Sequence, residues 1–420
     1  MPSSEIPNFY KIPPEQRIKL VKEFANLDEK EVQAIGSLSG LKMDVADRMI
    51  ENVIGAIPIP LGVATNFLIN GKDYLVPMAI EEPSVVAAAS NAAKMARKKG
   101  GFWTSNSGPV MIGQIQTVRV KDPYRARNEI LANKDSLLAK ANEQDPKLVS
   151  VGGGAKDLDV RVVDTPRGKM VITHLIVDCR DAMGANAVNT MAEAIAPIIE
   201  KLSRGKVFLR IISNLAVRRV VRSTAVWDKE TIGGEEVVEG ILDAFAFADS
   251  DPFRCATHNK GIMNGVIAVA LASGQDTRAL EAGAHSYATV TGRYRSLTTY
   301  EKDEEGNLVG TIEMPVAVGL IGGASAVHPV AKSSVKILGV KSATELGEVI
   351  ASVGLAQNFA ALRALATEGI QRGHMKLHAR NVAASAGATG ELVDLVAQRM
   401  VEERKIRFDR AQELVKELSK

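Results

Sequence analysis

The middle of this chain alternates between two kinds of sequence, and this alternation constrains the fold more than any other feature. The segments IGQIQTVRV (112–120), KMVITHLIVDCR (169–180) and KVFLRIIS (206–213) are rich in β-branched and apolar residues, and they are predicted to be strands. Two helical patterns, PYRARNEILANKDSLLAKANE and ANAVNTMAEAIAPIIEKL, lie between them. Strands interleaved with two helices over roughly one hundred residues predict a compact α/β sandwich of the split βαβ kind.

The sequence on both sides of this unit is richer in helices. Helices are predicted after Pro13, after Ser84 and over roughly 343–369, the last from a long Ala-rich run. The pair Asn70-Gly71 between apolar runs predicts a β-hairpin. We therefore predict an α+β fold in which a small domain is inserted into a larger, helix-rich domain.

A glycine-containing joint separates the last part of the chain. Gly369 and Gly373 interrupt the long helix, and the sequence beyond them has its own helical periodicity, which is typical of a mobile lid. A length of 420 residues is also enough for two or three domains. The predicted boundaries are 1–108 and 218–370 for the two parts of the large domain, 109–217 for the small domain and 371–420 for a C-terminal helical flap.

Composition excludes several classes of function. Fifty-two Lys and Arg against 49 Asp and Glu leave a net charge of +3, so nucleic acid and anionic membranes are poor default partners. The most apolar stretch, 309–327, contains Glu313 and Pro315, which favours a buried strand and turn over a membrane span. Two cysteines, Cys179 and Cys255, cannot build a disulfide framework. A cytoplasmic protein is expected.

Several familiar site motifs are missing from the sequence. There is no GxGxxG of a Rossmann dinucleotide site, no GxxxxGK[ST] of a P-loop and no HExxH of a zincin. The GxSxG of an α/β-hydrolase is missing too. The chemistry must therefore be carried by other short polar segments inside apolar sequence, which we call polar islands.

Two of these islands carry a glutamate and a lysine. Glu82 is predicted to lie where a strand meets a helix N-terminus, where it would serve acid–base chemistry or only complement the helix dipole. Lys260 of THNKG is predicted to lie just before an apolar helix, partly desolvated; an ordinary snorkelling lysine is the alternative. Asn264 in the same island would orient a substrate or cap a helix.

The remaining islands carry an aspartate, two histidines and a glycine turn. Asp276 of SGQD is an N-cap candidate, and a functional role for it requires Lys260 beside it. His374 and His378 are four residues apart, but without a third ligand cluster a metal site is not expected; His374 on the joint fits a proton donor better. At DAMGAN (181–186) a predicted strand is followed by a predicted helix. This junction either exposes backbone N–H groups that bind a phosphate or is a plain strand-to-helix turn.

Taken together, these islands resemble the soluble, prokaryotic class II form of the hydroxymethylglutaryl-CoA (HMG-CoA) reductase family. They occur in the order that the family has and span nearly the whole chain. The matching segments are ENVIGAIPIPLGVATNF (51–67), EEPSVVAAAS (81–90), DAMGAN (181–186), THNKGIMNG (257–265), SGQD (273–276), EMPVAVGLIGG (313–323) and QRGHMKLHARN (371–381).

The resemblance implies a reduction of HMG-CoA to mevalonate and CoA that consumes two NAD(P)H. Lys260 would polarise the thioester carbonyl and stabilise the oxygen, and Asp276 would keep Lys260 charged and in place. Glu82 would relay a proton during mevaldehyde reduction, and His374 would protonate the CoA thiolate. For the HMG group the resemblance implies a binding set of Ser84, Arg254 and Asn264.

The resemblance also implies how the cofactor binds. The small domain would be a ferredoxin-like, non-Rossmann dinucleotide-binding domain, with no metal in the site. Its predicted contacts are Asp181, Met183, Gly184, Ala185 and Asn186 near the pyrophosphate and Asn214 near the nicotinamide. Asp145 is placed to bind the adenosine ribose hydroxyls and repel a 2′-phosphate, which favours NADH while leaving NADPH possible.

A homodimer with shared active sites is implied as well, with Glu82 of one chain facing Lys260 of its neighbour and larger assemblies possible. Two alternatives stay open: a non-catalytic CoA- or nucleotide-binding regulator on the same scaffold, and a thiolase-like acyl transferase that would need an activated cysteine. The sequence does not give the physiological direction, which is either synthesis or oxidation of mevalonate.

Overall fold

Two β-sheets, each covered by helices, organise the chain. The computed structural model describes residues 3–37, 41–367 and 379–418. The strands, in chain order, are β1 (Leu61–Ile69), β2 (Lys72–Ala79), β3 (Phe102–Asn106), β4 (Val110–Val118), β5 (Gly154–Thr165), β6 (Gly168–Asp178), β7 (Lys206–Ser213), β8 (Val220–Trp227), β9 (Thr298–Lys302) and β10 (Leu308–Pro315).

The helices fall into an N-terminal group, a group on the small sheet, a group around the large sheet and a C-terminal group. Residues 379–385 are also helical, ahead of the last two helices. In chain order the helices are α1 (Pro14–Ala25), α2 (Glu29–Gly36), α3 (Met43–Ala46), α4 (Val85–Arg97), α5 (Pro123–Ala132), α6 (Lys134–Asn142), α7 (Pro146–Ser150), α8 (Ala185–Ser203), α9 (Lys229–Ile232), α10 (Glu235–Ser250), α11 (Pro252–Ala272), α12 (Thr277–Tyr287), α13 (Gly323–Val327), α14 (Pro329–Leu338), α15 (Ala343–Ala366), α16 (Glu391–Glu402) and α17 (Phe408–Leu418).

The large sheet has the order β2-β1-β3-β8-β10-β9. Its first hairpin turns at Asn70 and Gly71, whose φ values of 49° and 76° give the left-handed conformation that this pair favours. Helices α4, α11 and α15 pack with this sheet in one hydrophobic core, in which the rings of Trp227 and Phe359 stack with centroids 4.0 Å apart. The predicted helix after Ser84 and the Asn70-Gly71 hairpin are therefore present.

The small sheet has the order β5-β6-β4-β7, and all its pairings are antiparallel. Helices α5, α6 and α8 cover one face; α8 contributes Val188, Met191, Ile195 and Ile199, which recur with the helical period and are fully buried. This strand order and the interleaved helices form a split βαβ unit, so the predicted α+β class with a ferredoxin-like small domain is confirmed.

Strand β5 and the helices that precede it differ from the sequence prediction. Strand β5 has no counterpart among the predicted strands, because Lys156, Asp159 and Arg161 interrupt its apolar residues. Those charges face solvent while Leu158 and Val160 are buried. The first predicted helix of the small unit is divided in two at Asn133, which ends α5 and precedes α6.

The long helix α15 is a core helix. Within the described residues it alone has the length and composition to cross a membrane, and 67% of its most apolar window is buried inside the protein. It ends at Ala366, close to the predicted limit. Beyond the joint, α16 and α17 share a separate hydrophobic cluster that includes Val396, Met400 and Leu414.

Candidate active site

Glu82, Lys260 and Asn264 meet at one point of the large domain. Lys260 Nζ donates to Glu82 Oε2 at 3.0 Å, and Asn264 Nδ2 lies 3.4 Å from the same oxygen. Lys260 and Asn264 are four residues apart in α11, so they share one face of the helix. We call these three residues the lysine cluster. It places a cation, a carboxylate and an amide where a carbonyl group can be polarised and protonated.

Local backbone geometry fixes Glu82 between β2 and α4. Strand β2 ends at Ala79 and α4 begins at Val85, so Glu82 lies in the short connection between them. Ser84, the N-cap residue of α4, has a φ of 76°, a left-handed value that is uncommon for a residue with a side chain. Such strained backbone tends to occur where a site imposes it.

The position of Lys260 corrects one sequence expectation. Because α11 begins at Pro252, behind the capping side chain of Asp251, Lys260 lies in the third turn of the helix and not before its start. Its side chain is 62% exposed in the single chain, against 35% for Glu82, so the predicted desolvation is also wrong for this chain. Gly261 suggested a helix start that does not exist.

Two buried polar residues anchor the turn that carries Lys260. Asn259 Nδ2 donates to Arg295 O at 2.9 Å, and its Oδ1 accepts from Leu297 N at 3.1 Å. His258 Nε2 lies 2.7 Å from Ser296 Oγ, and burial lowers the pKa of His258 to about 3, so this ring is neutral. The anchoring roles of these two residues, both within the THNKG motif, were not predicted from sequence; apolar flanks around adjacent polar residues are the signal for them.

Asp276 lies apart from the lysine cluster. Its Oδ1 caps α12 by accepting from Arg278 N and Ala279 N, each at 3.1 Å, as the capping alternative predicted. From Lys260 to Ala272, at the end of α11, the helix rises about 18 Å at 1.5 Å per residue. Within one chain, Asp276 therefore does not hold Lys260 in place, and the predicted contact is absent between these described residues.

The resemblance implied that Glu82 would face Lys260 of a neighbouring chain. The structure corrects this expectation, because the 3.0 Å contact joins two residues of the same chain. The resemblance assigned two carboxylates to Lys260. Within the chain, Glu82 contacts Lys260 and Asp276 lies far from it.

The 181–186 loop forms the turn from the small sheet into α8. Gly184, with a φ of 108°, is the N-cap of α8, and no side chain caps this helix end. A Cβ at Gly184 would lie only 2.4 Å from Cys179 Sγ, so only glycine fits. The N–H groups of Ala185 and Asn186 open the helix, where backbone donors and the helix dipole favour a phosphate.

This loop is fastened to the large domain near Asp276. Asp181 Oδ1 accepts from Ala343 N at 2.8 Å. Gly319 N donates to Gln275 Oε1 at 2.8 Å, and a Cβ at Gly319 would lie 2.4 Å from Met183 N. Gln275, the neighbour of Asp276 in SGQD, thus contacts the segment on which the loop rests; this role was not predicted. We call Asp276 together with the 181–186 loop the aspartate cluster.

The other predicted contacts are placed as follows. Asn214 is exposed, and its backbone carbonyl packs on Gly283 of α12, so it lies beside the helix that Asp276 caps. Asp145 is half-buried, and its Oδ1 caps α7 by accepting from Leu148 N at 2.9 Å. Arg254 lies in the first turn of α11, and burial lowers the pKa of its guanidinium; no hydrogen bond or ion pair of that group is found within the described residues.

Both cysteines are buried, unreactive thiols. Burial raises the pKa of Cys179 to about 12 and that of Cys255 to about 11, so neither is a thiolate at neutral pH. A thiolase-like transferase has no nucleophile in these two residues. His374 and His378 lie outside the described residues. Within the ranges 3–37, 41–367 and 379–418, no three His, Cys, Asp or Glu side chains are arranged to hold a metal ion.

Fold and site together define a two-sheet α+β enzyme in which a lysine–glutamate pair lies in the larger part and a phosphate-type helix N-terminus in the smaller one. The family model described as hydroxymethylglutaryl-coenzyme A reductase matches residues 13–379. The chain belongs to the HMG-CoA reductase family.

Named relatives and solved structures agree with this family. The chain is 65% identical over 416 residues to the 3-hydroxy-3-methylglutaryl-coenzyme A reductase of Archaeoglobus fulgidus, which covers 99% of this chain and 95% of the relative. It is 36% identical over 349 residues to a probable reductase of Borreliella burgdorferi, with 81% of this chain and 78% of the relative covered.

Two Streptococcus pneumoniae structures resemble the whole fold. One HMG-CoA reductase superposes with a TM-score of 0.83 at 39% identity, covering 98% of this chain and 99% of the other. A class II HMG-CoA reductase bound to NADPH in open conformations superposes with a TM-score of 0.82 at 39% identity, covering 97% and 100%. The class II assignment is confirmed, and the chain is an oxidoreductase that reduces HMG-CoA in the mevalonate pathway.

Proposed function

We propose that the lysine cluster is the place where the thioester of HMG-CoA is reduced. The observation that carries this proposal is the 3.0 Å contact between Lys260 Nζ and Glu82 Oε2 on a site open to solvent. The overall reaction takes up two hydrides and two protons, and it yields mevalonate, CoA and two oxidised dinucleotides. NAD(P)H supplies the hydride in each of the two reductions.

Lys260 acts on the oxygen of the reacting carbonyl. Hydride attack builds negative charge on that oxygen, and an ammonium aimed at it stabilises the charge most where water is excluded. Glu82, already hydrogen-bonded to the ammonium, is placed to relay a proton to the oxygen when mevaldehyde is reduced to the alcohol. Asn264 holds the same carboxylate oxygen and keeps it oriented.

The departing CoA needs a proton as well. His374, in the segment that follows the helix α15, is proposed to protonate the thiolate, because an imidazole titrates near neutral pH. Arg254 is proposed to bind the free carboxylate of the HMG group, since its guanidinium has no partner within the described residues and can form a two-pronged contact. Ser84 beside Glu82 is the proposed third contact to this group.

The residues of the 181–186 loop fit a dinucleotide. A glycine N-cap that no side chain can replace and free N–H groups at the start of a 19-residue helix form a cradle for a pyrophosphate. The NADPH-bound Streptococcus pneumoniae relative supports the same kind of cofactor for this chain. We propose that Asp181, Met183, Gly184, Ala185 and Asn186 hold the pyrophosphate, with Asn214 near the nicotinamide.

The proposed boundaries are 109–217 for the small domain, 1–108 with 218–370 for the large domain and 371–420 for the flap. The two sheets have separate hydrophobic clusters, which supports a division between the first two units. The separate cluster of α16 and α17 supports a flap that folds around its own small core. A cytoplasmic location is proposed from the two free thiols.

A second copy of the chain is proposed to complete each site. Asp276 lies beyond the C-terminal end of α11, and Lys260 lies about 18 Å before that end, so the lysine cluster and the aspartate cluster are too far apart to act on one thioester within one chain. The segment 53–60, which precedes β1, has no regular secondary structure, and Ile54 is 98% and Ile57 91% exposed, as expected of a surface that a partner covers. In the proposed homodimer each site takes the lysine cluster of one chain and the aspartate cluster of the other.

Two substrates separate the proposed roles of Glu82 and His374. The wild-type enzyme is expected to oxidise two NAD(P)H per HMG-CoA and one per mevaldehyde, as followed by absorbance. His374→Gln should lose about 10²-fold in the HMG-CoA reaction, where a thiolate must leave, while mevaldehyde reduction stays within about threefold of wild type. Glu82→Gln should lose about 10²-fold with both substrates. If His374→Gln loses both activities equally, His374 is not the group that protonates the CoA thiolate.

We propose that NADH is preferred over NADPH because of Asp145. One carboxylate oxygen caps α7, and the other, for which the described residues offer no hydrogen bond, is left for the ribose hydroxyls and repels a 2′-phosphate. Asp145→Asn keeps a capping side chain but removes the charge. It should lower kcat/KM for NADH about fivefold and raise that for NADPH by a similar factor.

Steady-state kinetics with both dinucleotides provide the measurement. Asp122→Asn is the matched control, because Asp122 caps α5 through Arg125 N in the same way. A tenfold preference of the wild-type enzyme for NADPH, or an unchanged ratio in Asp145→Asn, would contradict the proposal.

A further inference from the structure

Arg219 is a buried arginine whose guanidinium binds three backbone carbonyl groups. It lies just before β8, and the residue is 3% exposed. Nη1 donates to Ala182 O at 3.0 Å and to Met183 O at 3.1 Å, and Nη2 donates to Val318 O at 2.6 Å. Within the described residues it forms no ion pair. A buried cation normally requires an anionic partner, so its retention here needs a reason.

The guanidinium remains charged at this place. Burial lowers its pKa from the usual value, while the carboxylates of Asp178 and Asp181 act in the opposite direction. An arginine side chain is not deprotonated in proteins at physiological pH. A positive charge is therefore fixed directly behind the 181–186 loop.

The carbonyl contacts also set the direction of two peptide units. In a trans peptide the C=O and the following N–H point in opposite directions. Because the carbonyls of Ala182 and Met183 point at Arg219, the N–H groups of Met183 and Gly184 point away from it. In the described part of the chain no backbone hydrogen bond is found for the N–H of Gly184, while the N–H of Met183 faces Ile321, with which Ala182 forms an isolated parallel bridge. The Gly184 N–H adds to the open donors at the start of α8.

The third contact ties this arrangement to the large domain. Val318 precedes Gly319, the residue that packs on Met183 N and donates to Gln275. Arg219 therefore joins the loop of the small domain to the segment that also carries the neighbour of Asp276. One side chain controls the donors of the loop, their local potential and their position relative to the rest of the aspartate cluster.

We infer that Arg219 is a positioning residue for the dinucleotide pyrophosphate, which it orients and attracts through the 181–186 loop without touching it. This inference rests on the proposed role of that loop and adds a residue that the motif DAMGAN does not contain. Its specific consequence is that Arg219 matters for ligands that carry the pyrophosphate and not for ligands that lack it.

Two variants of the full-length enzyme test this inference. Arg219→Met removes the charge and all three hydrogen bonds, and Arg219→Lys keeps the charge but cannot span three carbonyls. Inhibition constants are measured against NADPH for ADP-ribose, which carries the pyrophosphate, and for adenosine, which does not. Arg219→Met should weaken ADP-ribose by about tenfold or more and adenosine by less than about twofold, with Arg219→Lys between wild type and Met.

Arg127→Met is the matched control. Arg127 Nε donates to one carbonyl of the small domain, Val160 O, at 3.0 Å and lies on α5, away from the loop, so its loss should change neither constant. Equal weakening of ADP-ribose and adenosine in Arg219→Lys would overturn the inference in favour of a general packing role. If Arg219→Met does not fold, the two inhibition constants of Arg219→Lys test the inference by themselves, because lysine keeps most of the buried volume.

Asn186→Ala separates a failure of this inference from a failure of the proposed dinucleotide site. If Asn186→Ala weakens ADP-ribose while both Arg219 variants leave it unchanged, the site stands and the role of Arg219 is wrong. If ADP-ribose binds equally well to all of these variants, the 181–186 loop is not the pyrophosphate site and both proposals fail.

Discussion

Lys260→Met is expected to lower kcat for HMG-CoA reduction by about 10²- to 10³-fold, because the stabiliser of the developing negative charge on oxygen is lost. Methionine has nearly the same length as the lysine stem, so α11 and the anchors at His258 and Asn259 should be unaffected. The melting temperature should therefore stay close to that of wild type. The KM for the dinucleotide should not change either, because Lys260 is proposed to act on the thioester oxygen and is not among the proposed contacts of the pyrophosphate.

Lys260→Arg is the informative companion to this variant. It keeps the positive charge but presents a planar fork in place of a compact ammonium, so it should recover only part of the lost rate. Initial rates at saturating dinucleotide, followed by absorbance for each variant, provide the measurement. A Lys260→Met enzyme that keeps a tenth or more of the wild-type kcat would show that the ammonium is not the main stabiliser.

A mixture of two inactive variants, Lys260→Met and Asp276→Asn, is expected to regain about a quarter of wild-type activity when the two chains are co-expressed in equal amounts. Random pairing makes half of the dimers mixed, and each mixed dimer carries one site with both residues intact. This recovery follows from the separation of the lysine and aspartate clusters by about 18 Å of helix within one chain. Each variant alone should show at most about one per cent of the activity.

The control pair is Lys260→Met with Glu82→Gln. Both residues belong to the lysine cluster of one chain, where Lys260 Nζ and Glu82 Oε2 are 3.0 Å apart, so every site of a mixed dimer carries one defect and no recovery is expected. Recovery in this control would show instead that Glu82 acts on the lysine of its neighbour. Failure of the first mixture, with dimers verified, would place Lys260 and Asp276 in one chain's site.

Local sequence rules predicted the elements that carry their own signals. The left-handed pair Asn70-Gly71 permits one kind of tight turn, and the apolar positions of α8 recur every three or four residues, so both elements were predictable. Strand β5 was not predictable, because charges on its solvent-facing side break the apolar run. Its position at the edge of the small sheet beside β6 is set by the tertiary fold.

The start of α11 shows a second limit of local rules. Asp251 followed by Pro252 is a clear helix start, yet the polar THNKG motif and Gly261 concealed that the helix continues through them. Tertiary anchors at Asn259 and His258 hold that turn, and the local sequence does not reveal the distant residues that they bind. The consequence for the site is direct, because a Lys260 inside the helix is exposed and can face a partner.

The proposed partition of the site between chains could not be worked out from local sequence rules for a similar reason. Motifs show which residues belong to the chemistry but not which copy of the chain supplies them. Two features of the structure support the proposed partition. They are the length of α11, which separates Lys260 from Asp276, and the contact of Glu82 with Lys260.

A crystal structure of the dimer with HMG-CoA and an oxidised dinucleotide bound would test the shared site most directly. We expect Lys260 Nζ to lie within hydrogen-bonding distance, about 3 Å, of the thioester oxygen and near Asp276 of the neighbouring chain. A Lys260 that points into bulk solvent in that complex, remote from the thioester and from Asp276 of either chain, would contradict this expectation.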